Sequence, residues 1–352
     1  MNSVNNPKVA DKIYFEKATL AHKDLIFGWL EEPHMKEFWD NSQEHKDDIL
    51  NFINGKKQHY FYGTTMYWVG FLDDQPYCFL LTDQIRIDQE DVTDLHKAQL
   101  SKIGNTISID FGIGNKTFLG KGLAAPTLKA FVEFYNAYID PNADTFFIDP
   151  NDNNPRAKHV YEKAGFRVVD KFTAEKGYFI GDESILMVKT IALSPKLIKA
   201  TLADNPALQK MGKLYENDML PYCSYLPGWL KIYLEGTGRH AFIIKVGKEN
   251  IGFALINKAG TMLKVDWNMG EFFILKKFQG QSFGKQAAME ILDQFAGLWE
   301  VVVIPKNTGA HAFWQKVITT YSDGNFSKKT KAIDYDPDNP KRIIFQLKSR
   351  KN

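Results

Sequence analysis

Residues 105–166 read NTISIDFGIGNKTFLGKGLAAPTLKAFVEFYNAYIDPNADTFFIDPNDNNPRAKHVYEKAGF. Apolar and polar residues alternate over 106–113, the two-residue period of a strand. The strand runs into a glycine-bearing loop, Leu119-Gly120-Lys121-Gly122-Leu123-Ala124. A helix opens directly from the loop, with Ala124, Leu128, Phe131, Val132 and Tyr135 on one face. A second strand over 145–148 follows, then a short helix carrying Asn154, Ala157 and Tyr161. Such a unit suits anion binding. Glycines let the backbone turn tightly and approach a ligand, and the unpaired amides of a first helical turn point at a phosphate with the helix dipole behind them.

Three glycine-loop patterns compete. A P-loop requires Ser or Thr after its lysine, and Lys121 is followed by Gly122, which excludes it. A dinucleotide fingerprint fits loosely, because Gly120-x-Gly122 continues to Ala125 rather than to glycine. The third pattern, Q/R-x-x-G-x-G/A, is met by Leu119-x-x-Gly122-x-Ala124 with Leu in the first place. Its sequel is Asn154-x-x-Ala157-x-x-x-Tyr161-x-Lys163-x-Gly165-Phe166. Together the two segments resemble the acetyl-CoA site of the GNAT acetyltransferases. LGKGLA with IDPNDNNPRAKHVYEKAGF, and the earlier GWLEEPHMKEFW at 28–39, resemble the branch of aminoglycoside 6'-N-acetyltransferases and siderophore-type lysine N-acyltransferases. The likeness spans roughly residues 10–190.

That resemblance implies an α/β (α+β) fold: a mixed, mostly antiparallel twisted sheet flanked by helices, with a splayed central strand pair. It implies acetyl-CoA as cofactor. The backbone of Phe111, Gly112 and Ile113 would lie beside the pantetheine arm and supply an oxyanion donor. Leu119, Gly120, Lys121, Gly122, Leu123 and Ala124 would hold the pyrophosphate, and Asn154 and Ala157 would close the site. Tyr161 matches the tyrosine that faces the coenzyme sulfur. Its alternative is a core aromatic. A phenol pKa near 10 makes it a hydrogen-bond donor more readily than a full acid. Asp110, on the strand before the loop, is the candidate base; it either takes a proton or only pairs with the substrate's charge. Asp149 and Asp152 are further substrate contacts. His34 reads as a helix-packing residue and His159 as a surface residue. Lys121 adds a screened charge or is a solvent lysine. No metal-ligand spacing and no Ser-His-Asp order appear.

The chain of 352 residues exceeds the usual ~100–200 of one domain. Residues 191–196, IALSPK, form the linker candidate, which places domains at 1–192 and 193–352. The pattern then repeats. Asn307, Ala310 and Trp314 keep the offsets of Asn154, Ala157 and Tyr161. Gln279-Gly280-Gln281-Ser282-Phe283-Gly284 stands where the first loop stands, with Asn307 beyond it as a further coenzyme candidate. The second domain is therefore expected to be GNAT-like. It is also expected to be catalytically degenerate: Ser282 takes a positive φ less freely than glycine, and an indole cannot act as an acid. Glu271 is its possible base.

No run approaches the ~18 apolar residues of a membrane span, and the N-terminus has no apolar secretory segment, so a cytoplasmic protein is expected. Cys78 and Cys223 form no disulfide framework and suit a reducing compartment. Residues 1–192 carry 21 Lys and Arg against 28 Asp and Glu; residues 193–352 carry 23 against 14. The acidic half suits a small cationic amine, with much of the acid in 31–48 and in 83–104, the latter read as an insertion or substrate-facing loop. The basic half suits an anionic partner or is simply a solvated surface. The expected function is N-acetyl transfer to a primary amine of an aminoglycoside-, polyamine- or lysine-like molecule by a monomer or homodimer, with neither nucleic acid nor membrane as partner. The rivals are an acyl-CoA-binding sensor or scaffold without turnover, and acylation of a protein amine.

Overall fold

Period-two alternation in the N-terminal half assembles one seven-stranded sheet. The structure, a computed structural model, describes residues 12–63, 65–222, 230–261, 265–334, 336 and 340–350; Cys223 lies outside them. The chain divides into two units, Met1–Leu193 and Ser194–Asn352. The first contains β1 (Ile13–Lys17), α1 (Lys23–Leu30), α2 (Pro33–Lys36), α3 (Gln43–Ile53), β2 (Met66–Leu72), β3 (Gln75–Ile85), α4 (Asp94–Gln99), β4 (Asn105–Gly112), α5 (Ala124–Phe134), β5 (Ala143–Ile148), α6 (Pro155–Ala164), β6 (Arg167–Thr173) and β7 (Glu183–Thr190). Strand order is β1-β2-β3-β4-β5-β7-β6. The β2–β3 hairpin turns through Asp73 and Asp74 at φ 47° and 62°, a left-handed pair that aspartate tolerates.

Alternation sends side chains to two cores. Trp68, Leu80, Ile107 and Ile109 pack with Leu128, Phe131 and Val132 of α5. Tyr67, Val69, Phe79 and Leu81 pack on the other face with Ile26, Trp29, Met35 and Trp39 of the N-terminal helical region. Each fully buried apolar side chain contributes roughly 1.5–3 kcal/mol, so both faces are firmly covered. β4 and β5 run parallel, and their pairing ends at Ser108↔Phe147. Beyond it Ile109 to Gly112 remain paired to β3 alone, so the sheet opens between β4 and β5.

The second unit contains β8 (Lys196–Lys199), α7 (Asn205–Met219), α8 (Leu230–Glu235), β9 (His240–Val246), β10 (Glu249–Asn257), β11 (Trp267–Ile274), α9 (Phe283–Gln294), β12 (Leu298–Val303), α10 (Thr308–Tyr321), β13 (Phe326–Ala332) and β14 (Lys341–Lys348). Its order, β13-β14-β12-β11-β10-β9-β8, is that of the first sheet read from the other edge. The parallel pair β11 and β12 ends at Met269↔Val301, and this sheet opens too. Gly270 is skipped in the β10–β11 register, a one-residue bulge that turns the next side chain, Glu271. A Cβ at Gly270 would come within 2.5 Å of the Tyr233 hydroxyl.

Two features differ from the sequence expectation. Residues 83–104 are not one acidic loop: β3 continues to Ile85, and α4 follows within the stretch. Strands β13 and β14 and helix α8 complete the second unit without having been anticipated. Among the described residues no helix is long and apolar enough to cross a membrane.

Candidate active site

The opening between β4 and β5 leads into a cleft of 680 Å³ in the first unit. Backbone conformation shapes one end of it. Gly120 and Gly122 take φ of 74° and 72°, where a side chain would be strained, and an ideal Cβ at either would meet nothing within 4 Å. The loop thus turns back on itself around open space. Among the described residues, no backbone carbonyl accepts from the amides of Gly120, Lys121, Gly122 or Leu123. These donors and the first turn of α5 form a cradle for an anion. Pro126, third in the helix, occupies a place where an amide has no intrahelical acceptor. Leu119 and Ala124 line the cleft; Lys121 lies over the Phe118 ring at 5.2 Å.

The cleft wall opposite comes from the helices after β1. Gly112 and Gly114 accept them closely: a Cβ at Gly112 would come within 2.7 Å of the Met35 methyl, and one at Gly114 within 2.2 Å of the Trp29 ring. His34 Nε2 hydrogen-bonds the Ile113 carbonyl at 2.8 Å, so this histidine braces the strand end, as its packing role implied. Phe111, Gly112 and Ile113 all line the cleft.

Asp110, Asp149 and Tyr161 meet here. Asp110 is open to the cleft yet ringed by protein, and that surrounding mass pushes its carboxyl well above the usual carboxylate range. Asp149, one residue past β5, is pushed up by burial and further by the like charge of Asp110. The two titrate as a pair. The buried Tyr161 phenol is pushed up by desolvation and then by both aspartates, so it stays protonated and serves as a donor. A carboxylate pair with raised pKa values beside a protonated phenol can accept a proton from an amine and donate a hydrogen bond to a departing group.

Asn154 and Ala157 line the cleft and have a local duty besides. Asn154 Oδ1 caps α6 by accepting from the Ala157 amide at 3.0 Å. Asn307 does the same for Ala310 at 3.0 Å. The repeated Asn-x-x-Ala spacing is therefore a helix-cap spacing. Asp152 is not among the cleft residues; its carboxylate pairs with Lys171 at 2.6 Å. His159 is exposed. Cys78 is buried and its thiol is pushed up by burial, as fits a core thiol. The cleft also gathers Asp40, Asp83 and Asp91, none of which the sequence placed there individually. Tyr60 donates a hydrogen bond to Asp40, and Asp48 fixes the same loop by accepting from Gln58 at 2.8 Å and from Tyr67 at 2.9 Å.

In the second unit Gly280 and Ser282 take φ of 78° and 67°. Ser282, although serine takes such a φ less freely than glycine, adopts the conformation of Gly122. Gln279 ties the loop to β11 by donating to the Ile274 carbonyl at 2.8 Å, and Gln281 donates to Lys277 at 3.0 Å. Phe283 and Trp314 are buried. Gly284 opens α9 against Phe313, 3.3 Å from an ideal Cβ. Glu271 stands two residues past the last β11–β12 pair, as Asp110 stands two past the last β4–β5 pair. Burial pushes its carboxyl up to about 7, and Tyr215 donates a hydrogen bond to it.

Residues 19–174 match the family model described as an acetyltransferase (GNAT) domain, and residues 208–318 match the acetyltransferase (GNAT) family. A kanamycin resistance protein of Rhizobium radiobacter is 35% identical over 82 residues, which are 23% of this chain and 69% of that protein. The chain belongs to the GNAT acetyltransferases. This acetyltransferase carries two such domains in tandem. Two solved structures are similar to part of it. The aminoglycoside N(6')acetyltransferase from Legionella pneumophila has 22% identity and a TM-score of 0.40, over 51% of this chain and 92% of that one. AAC(6')-Ib in complex with coenzyme A and kanamycin has 21% identity and a TM-score of 0.40, over 51% and 94%. Neither likeness bears on what this acetyltransferase binds.

Proposed function

We propose that the first unit is an acetyl-CoA-dependent N-acetyltransferase acting on a primary amine of a small cationic molecule. The observation that carries this reading is the meeting of Asp110, Asp149 and Tyr161 at the opening between β4 and β5, beside the left-handed glycine loop. The coenzyme fits these residues. The loop encloses open space at Gly120 and Gly122, offers amides without acceptors, and continues into the first turn of α5. Leu119 to Ala124 would hold its pyrophosphate, and the unpaired side of Ile109 to Gly112 would lie along its arm. When bound, the coenzyme supplies the acetyl group as a thioester.

The remaining chemistry belongs to the chain. Asp110 and Asp149 attract the substrate ammonium, and its charge draws their pKa values back down. One carboxylate oxygen of Asp110 then takes the amine proton, which frees the nitrogen lone pair. A backbone amide of Phe111 to Ile113 stabilises the developing oxyanion. The Tyr161 hydroxyl donates a hydrogen bond to the departing sulfur. The acidic balance of residues 1–192 and the name of the R. radiobacter relative support a cationic acceptor. Free-thiol release from acetyl-CoA, followed across a panel of amines with the full chain, tests the reading. Accelerated release by cationic amines is expected; coenzyme binding without release by any amine would favour a sensor or scaffold instead.

A further inference from the structure

We propose that the cleft contains a second cation site, formed by Asp83 with Asp91, that takes a second ammonium of a di- or polyamine acceptor. The proposal rests on the amine-acetylating reading above and narrows the class of its acceptor. Asp83 lies on β3 opposite Ser108, while Leu81 lies opposite Asp110. Asp83 and Asp110 are therefore diagonal neighbours on one sheet face, and such positions stand about 7–8 Å apart. A short alkyl diamine, or two amino groups on one sugar, spans that distance.

Asp83 has the marks of a site rather than of a solvated charge. It is 7% exposed and lines the cleft. Among the described residues its Oδ1 is buried with no hydrogen-bond partner, and its Oδ2 accepts from Gln89 at a long 3.5 Å. Gly63 is pressed against the carboxylate, where a Cβ would come within 2.0 Å of Oδ1. The Gln84 amide and the Arg86 charge offset the deficit only in part. Asp91 adds a second carboxylate to the cleft; Arg86 is paired with Asp88 at 3.3 Å, and Lys176 with Glu90 at 2.6 Å. Burial, and then the charge of Asp91, push the Asp83 carboxyl up to about 6. A buried carboxylate oxygen without a donor is costly, and a ligand cation removes that cost. Tyr60, Tyr62 and Tyr178 also line the cleft; the Tyr62 ring already carries the Lys176 ammonium at 5.6 Å, so this wall accepts a cation.

Calorimetric titration of the full chain, in the presence of coenzyme A, with linear diamines and length-matched monoamines tests the site. The best diamine is expected to bind about tenfold or more tightly than its monoamine. Asp83→Asn is expected to shrink that preference to within about twofold, and Asp91→Asn to reduce it by less. Asp110→Asn should weaken diamines and monoamines alike. An Asp83→Asn protein that keeps the wild-type preference overturns the proposal, as does a wild type that fails to distinguish the two amines. If Asp83→Asn does not fold, an unaltered preference in Asp91→Asn is the overturning result, and a reduced one supports the site. Thiol release from acetyl-CoA with the same amines is scored separately. Diamine-selective binding without release leaves the cation site standing and sinks the acetyl-transfer reading.

Discussion

The two units share a backbone and differ in what they aim into it. Each opens between its parallel central strands, each turns through two left-handed residues into a helix, and each caps the following helix with an asparagine. At the opening, however, the first unit gathers Asp110, Asp149 and the Tyr161 phenol, all in the cleft. The second has Glu271, held by Tyr215 from α7, and the buried indole of Trp314. Where Asp149-Pro150 leaves β5, Ile304-Pro305 leaves β12. Main-chain geometry is set by sheet pairing and turn conformation, which many sequences satisfy. Proton transfer needs particular side chains, so divergence in chemistry lies mostly in side chains, and the bulge at Gly270 beside Glu271 is the backbone difference that accompanies it.

The sharpest way to break this contrast is at the carboxylates. Asp110→Asn is expected to lower turnover by about 10²–10⁴-fold, the usual span of general acid–base catalysis, while Glu271→Gln changes turnover of the same amine by less than about twofold. Steady-state rates of both variants on one acceptor decide it; the reverse pattern would exchange the roles of the two units.

The next largest effect is expected at the glycine loop. Gly122→Val forces a β-branched residue into a left-handed conformation, which costs roughly 1–3 kcal/mol, so coenzyme affinity should drop about tenfold or more. Gly122→Ser should retain most of the affinity, because Ser282 already holds that conformation and a Cβ at 122 meets open space. Coenzyme titration distinguishes the two. Equal losses would mean that the loops are not equivalent.

Tyr161→Phe should slow turnover about tenfold with coenzyme affinity nearly intact, since it removes only a donor. Trp314→Phe should act on stability, by roughly 1–3 kcal/mol of lost core packing, more than on rate. Rates and thermal unfolding of both variants, measured together, sharpen the assignment of the phenol.

The smallest expected effect is a pH dependence of stability. Asp110 and Asp149 have folded pKa values above their unfolded ones, so the folded chain binds more protons from about pH 4 upward. Their contribution is fully present below that range and is lost as pH rises through the folded values. A double Asp110→Asn, Asp149→Asn variant should therefore gain thermal stability over the wild type at pH 8 and lose most of that advantage at pH 5. A constant difference at both pH values would contradict the raised pair.

Much of this was readable from local pattern. The glycine loop, the helix face of Leu128, Phe131 and Val132, and the repeat of Asn154 and Asn307 are short-range signals, and the sheet pairing agrees with them. The missing parts depend on tertiary context. FSKKTKA at β13 is polar between Phe326 and Ala332 because it is an exposed edge strand guarded by lysines, so no apolar period announces it. Asp83 looked like one acid among several in 83–104, but β3 runs on to Ile85 and carries it into the cleft. Asp149 and Asp152 were indistinguishable in IDPNDN; one follows the strand into the opening and the other turns out to Lys171. Ser282 was judged by its intrinsic preference, and the fold overrides that preference.

The two glycines beneath the N-terminal helices limit how this cleft can be re-engineered. The flexible tip of Met35 and the Trp39 ring press on Gly112 at the strand end, and the Trp29 ring presses on Gly114 just beyond it, so a side chain at either position meets a neighbour that must shift. A mutational library directed at that edge would find Gly114 the less tolerant of the two, because it meets the core of the Trp29 ring. Changes in acceptor preference are more readily sought at Tyr60, Tyr62, Asp91 and the 174–179 segment, which line the cleft and lie outside the strand that carries Asp110. Selectivity in such a protein can drift along one rim while the reacting groups stay fixed.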